Sequence, residues 1–154
     1  MNTLQDIASQ SVTVAKGLID DDEEALYVRI GRLEKAIEKD PILAYSPLLD
    51  PPYEKEQMGP LDGVRELGRR IVRKWAAALH DLVCGSKDDT AREQLLDALN
   101  VSEAAAIGVV TTLLLPVLSP AIAAAVAVVI VKKFLVPAGG VFCDYWGEQL
   151  NAAP

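Results

Sequence analysis

The sequence predicts an all-α fold, a single-domain helical bundle, on three observations. Apolar residues recur at helical spacing along most of the chain. Hydrophobic residues make up 51% of the chain but aromatics only 5%, so Ala, Val and Leu must build the interior. Small side chains of that kind suit helices that pack closely. Finally, residues 104–131 carry no charge and are broken near their middle by Pro116, Ser119 and Pro120. That pattern reads as a central apolar helical hairpin at about 102–135. At 154 residues the chain has the size of one domain and can bury a core without disulfides or metals.

The elements follow in order, five to seven helices in all. Leu4, Ile7, Ala8, Val12, Ala15, Leu18 and Ile19 give a first helix over 3–19. The acids of DDDEE at 20–24 sit where a second helix begins and meet the positive end of its dipole. Leu26, Ile30, Leu33 and Ile37 form its stripe over 24–39, and Asp40-Pro41 stops it. Residues 1–39 are thus N-terminal helices.

Residues 40–60 contain five prolines, which exclude a long helix or a central strand. They also carry Ile42, Leu43, Tyr45, Leu48, Leu49 and Tyr53, which are not the side chains of a loose linker. The reading is an extended arm that either straps its own domain or docks on a partner, at low entropic cost in both cases.

The helical core occupies 61–154. Val64, Leu67, Ile71, Trp75, Ala78, Leu79 and Leu82 suggest the apolar face of a helix over 61–83, with Gly85 as its C-cap. Opposite lies a basic stripe of Arg65, Arg69, Arg70, Arg73 and Lys74. It is either a solvated face balanced by nearby acids or a docking strip for an acidic partner. Ser86 or Thr90 starts the next helix, the latter with Glu93 as a capping box; Leu95, Leu96 and Leu99 are its apolar residues, and Asn100 ends it. Ser102 caps the hairpin's first rod, and Ser119-Pro120 opens its second.

Each rod is roughly 15 residues, about 22 Å, against a hydrocarbon layer of about 30 Å. A buried pair fits this length better than a hairpin that crosses and returns. The alternative is a membrane-anchored or membrane-inserting segment at 104–131, with Lys132-Lys133 at the interface. Phe142, Tyr145 and Trp146 then form a lid over the hairpin, or in the alternative an interfacial belt.

Chemistry-bearing patterns are sparse. The net charge of −7 argues against nucleic acid as the main partner. His80 precedes Cys84 by four residues, which puts both on one helical face, but nothing around them resembles an oxyanion loop. His80, Cys84 and Cys143 give too few ligands for structural zinc. Calcium-loop, phosphate-loop and hydrolase motifs are missing. No secretory pattern opens the chain, so a cytoplasmic setting with both thiols free is expected.

The functional expectation is a non-enzymatic interaction module without catalytic residues, metal, cofactor or small-molecule substrate. It binds a partner protein or associates with itself. The contact candidates are Ile42, Leu43, Tyr45, Leu48, Leu49 and Tyr53 of the arm, Arg65, Arg69 and Arg73 of the stripe, and the aromatics Tyr145 and Trp146.

Overall fold

The computed structural model describes residues 4–85 and 90–151. They form α1 Leu4–Gly17, α2 Glu23–Lys39, α3 Lys55–Met58, α4 Leu61–Cys84, α5 Thr90–Val101, α6 Glu103–Leu114, α7 Pro120–Ile130 and α8 Phe142–Asn151. No strand occurs among the described residues, and the fold is an all-α bundle.

Local chemistry sets most boundaries. Asp22 is the N-cap of α2, its carboxylate accepting from the Ala25 N–H at 2.7 Å. Ser102 caps α6 in the same way, accepting from Ala105 N–H at 3.0 Å. Ser119 and Pro120 stand at N-cap and N1 of α7, although the Ser119 hydroxyl makes no capping bond. Thr90 is already helical in α5, and that helix runs one residue past Asn100. The alternative start at Ser86 lies outside the described residues.

The arm is less extended than expected. Pro41 occupies the first position of a 3₁₀ turn, Pro41–Tyr45, and α3 adds one helical turn at 55–58. Its five prolines break the segment without emptying it of helix. A proline at a first helical position loses no hydrogen bond, and 53–59 is proline-free.

The apolar hairpin is present but asymmetric. Every residue from 121 to 131 is buried, so α7 is the central rod. It is surrounded by α1, α2, α4 and α6. By contrast α6 buries one side only, through Ala106, Ile107, Val110, Thr111 and Leu114. Thr111 lies on this buried side and satisfies its hydroxyl on the Ile107 carbonyl, while the exposed Thr112 donates to the Gly108 carbonyl. Past Ile130 the helix widens into a π-turn, Val131–Leu135.

The buried face of α4 also differs from the expected one. It comprises Val64, Gly68, Val72, Ala76, Leu79 and Val83, while Ala78 and Leu82 are exposed. The cause is the crossing with α2. A Cβ on Gly68 would fall inside the carbonyl oxygen of Tyr27, and a Cβ on Gly31 inside that of Val64. Two glycines, one from each helix, therefore let the antiparallel backbones touch, and the face turns to bring them inward.

At the far end α8 folds back on α4 and the π-turn. Phe142 and Trp146 are 1% and 0% exposed, and Trp146 stacks on Phe134 with ring centroids 5.9 Å apart. A disulfide joins Cys84 to Cys143. This overturns the expectation of two free thiols. Helix α8 reverses the chain so that it lies against the last turns of α4, and residues 59 apart in sequence become neighbours.

Candidate functional site

The candidate site is the strap formed by 41–53 and the ground it lies on. Ile42 and Tyr45 are three residues apart in a 3₁₀ turn, whose period of three aligns them on one side. They are 76% and 77% exposed, and Leu48, three residues on, is 67% exposed. Leu43 and Leu49 alternate inward and are half-buried, with Leu49 against the core. The strap thus has an inner apolar edge that seats it and an outer one that faces solvent.

Polar bonds hold it in place. Arg32 Nη1 donates to the Pro51 carbonyl at 2.5 Å and lies 3.5 Å from Asp50 Oδ1; Arg29 Nη1 reaches the same carboxylate at 3.5 Å. Tyr53 donates its hydroxyl to the Gly59 carbonyl at 2.6 Å. Beside the strap runs a groove of about 430 Å³ lined by Lys35, Lys39, Leu43, Pro52 and Met58, among others.

Comparison with protein-family models, with curated proteins and with solved structures finds no match. The site is therefore read from its own geometry.

The other contact candidates lie elsewhere. Arg65 pairs with Glu24 at 3.1 Å and Asp62 at 2.8 Å, while Arg69 pairs with Glu66 at 2.7 Å and Glu24 at 3.5 Å. Arg69 also lies over the Tyr27 ring at 5.4 Å. Arg73 donates to the Leu150 carbonyl at 2.9 Å, fastening α8. Three cations of the stripe are thus engaged within the fold. Tyr145 is half-buried and Trp146 fully enclosed, so Trp146 presents no surface here.

A second polar cluster, unannounced by any motif, ties the π-turn to the α1–α2 corner. Lys132 Nζ donates to the Ile19 and Asp21 carbonyls at 2.6 and 3.0 Å. Lys133 Nζ donates to Glu23 Oε1 at 2.9 Å and to the Tyr27 hydroxyl at 3.3 Å, and Tyr27 donates to the same Glu23 oxygen. Burial pushes the Glu23 carboxyl upward, but hydrogen bonds from Tyr27 and Lys133 and the charges of Lys133 and Arg69 outweigh it and hold it below its ordinary value. Burial, then the bond to Glu23 and its charge, drive the Tyr27 hydroxyl upward, so it stays protonated as a donor. The only sequence signal was the unusual Lys132-Lys133 pair at the end of an uncharged run.

Cys84 does not present a thiol to His80. Its sulfur is bonded to Cys143, and His80 Nε2 donates to the Cys143 carbonyl at 3.2 Å. Among the described residues no three His, Cys, Asp or Glu side chains are grouped to hold a metal.

Proposed function

We propose that the chain is a non-enzymatic helical interaction module that binds a partner protein through the strap. One observation carries this reading: Ile42, Tyr45 and Leu48 are large, apolar and mostly exposed within seven residues of a segment fastened to α2. Scattered exposed apolar residues are ordinary on a protein surface, but a close-set group on a backbone already held in place is an anchor with less ordering entropy to lose. Residues 38–56 carry five acids against two bases, and the whole chain −7. The complementary partner presents an apolar hollow with a basic rim.

The test compares capture by the wild-type chain and by I42S/Y45S/L48S, with V101S/V141S as a control at other exposed apolar positions. A genuine partner is lost with the triple variant, kept with the control, and binds more weakly as salt rises. Equal capture by the triple variant overturns the reading. A strap-dependent dimer in sedimentation, with no other protein bound, transfers it to a second copy of this chain.

A second reading is conditional insertion of the 104–131 segment into a bilayer. No single helix among the described residues is long and apolar enough to cross a membrane; the pair that qualifies together by length and composition, Pro120–Leu135 and Gly139–Asn151, bent at 105°, shares only 120–131 with that segment. Insertion requires α7 to leave its enclosure. Anionic liposomes that retain their dye with the protein at acid and neutral pH eliminate this reading.

The disulfide bears on the setting. Such bonds persist in oxidising compartments and are rare in the reducing cytoplasm. The bond therefore supports an oxidising setting, and in a cytoplasmic one it has to be a bond that opens and closes.

A further inference from the structure

We propose that the Cys84–Cys143 disulfide is a redox latch that holds α8 closed over the bundle end and is opened by a dithiol. The inference rests on how α8 is attached and is independent of the strap. Helix α8 has ten residues, too few to be stable alone in water. Apart from the disulfide it is held by two buried aromatics, Phe142 and Trp146, and by bonds from Arg73 to the Leu150 carbonyl and from His80 to the Cys143 carbonyl. The chain leading into it turns sharply at Gly139, whose φ is +60°, and Gly139 and Gly140 pack against nothing that would hold them.

The closed seat is also imperfect. The Trp146 indole N–H is buried without an acceptor among the described residues. It regains a hydrogen bond to water when the helix lifts, so the closed state needs its covalent tie. Both cysteines are half-buried at the edge of the core rather than sealed within it.

In the opening step a thiolate of the dithiol attacks one sulfur. The Cys84–Cys143 bond breaks, a mixed disulfide forms, and the other cysteine leaves as a thiolate that takes up a proton. The second thiol of the reagent resolves the mixed disulfide. Two cysteine thiols and the cyclised, oxidised reagent result, a transfer of two electrons and two protons. Opening uncovers Phe134 of the π-turn and His80 of α4, the two side chains whose rings Trp146 meets.

The test uses the full chain with W75F, which leaves Trp146 as the single tryptophan, before and after dithiothreitol, with thiol alkylation to count reduced cysteines. Reduction without denaturant is expected to red-shift the Trp146 emission and to speed hydrogen exchange in 142–151 at least tenfold. Exchange in 120–135 is expected to stay slow and most of the helical dichroism to remain. Reoxidation reverses the changes, and C84S/C143S behaves as the reduced protein with or without dithiothreitol. Three outcomes overturn the latch: reduced cysteines with unchanged emission and exchange, loss of helical signal throughout the chain, or a bond that resists reduction until the protein is denatured.

Discussion

Glu23 and Glu34 share one helix and are pushed in opposite directions. Burial, then the negative charge of Glu38, raises the Glu34 carboxyl above its ordinary value. The folded chain therefore holds the Glu34 proton more tightly than the unfolded chain does. Stability falls as pH rises from the unfolded value through the raised folded one, and the penalty is constant above it. Glu34→Gln is expected to raise the denaturation midpoint above that window and leave it unchanged below. Glu23 has the reverse sign. Its depressed folded value adds stability that is present above the unfolded value and is lost as pH falls through the folded one. Glu23→Gln is expected to lower the midpoint at neutral pH and to converge with wild type in acid. Urea midpoints for both variants between about pH 3 and 7 check the pair, and divergences of the same sign would refute the assignment. Asp22 as a cap and acids at a helix start were legible in DDDEE, because capping is local. The role of Glu23 was not, because its partner Lys133 lies 110 residues away.

At the scale of elements, what could be read was periodicity, and what could not was the depth of a crossing. The α2 stripe of Leu26, Ile30 and Leu33 is buried as its spacing predicts. On α4 a reading by hydrophobicity passed over Val72 and Val83, which the turned face brings inward, and also Gly68 and Ala76, because residues with little or no side chain register weakly as apolar. All four positions lie on the buried line, and Gly68 permits the contact. Gly31→Ala and Gly68→Ala each force a methyl into a backbone carbonyl, which only separation of α2 from α4 relieves. Each is expected to destabilise by about 3 kcal/mol, the upper end for overpacking. Gly63 on the same helix has open space around its Cβ position, and Gly63→Ala is expected to stabilise by about 0.5 kcal/mol through helix propensity. Three urea titrations decide the matter. Equal small effects at all three positions would show that the helices do not touch through glycine. The strap was legible only in part: its prolines announced a break, but which leucines face inward depends on Arg29 and Arg32 reaching across from α2.

For the whole molecule the decisive feature is that α7 touches α1, α2, α4 and α6 and exposes almost none of its own surface. All but two of the acids and two of the bases precede residue 104, so the polar part of the chain supplies α1, α2 and α4 to the shell, and the apolar part supplies α6 and the axle itself. No layer of the shell can leave without exposing α7 to water, and α7 cannot stay ordered without the shell. This interdependence predicts one cooperative unfolding event for the disulfide-bonded chain, as expected of small domains. Helical dichroism, reporting on all elements, and tryptophan emission, reporting on α4 through Trp75 and on α8 through Trp146, are expected to give the same urea midpoint and slope. The disulfide closes a loop of 59 residues, and its loss is expected to lower the unfolding free energy by about 4 kcal/mol on the chain-entropy estimate. A first transition in the oxidised protein that removes part of the dichroism while leaving tryptophan emission untouched would mean that α1 and α2 detach on their own. The axle would then stand without its shell, and the account of one domain built around α7 would fail.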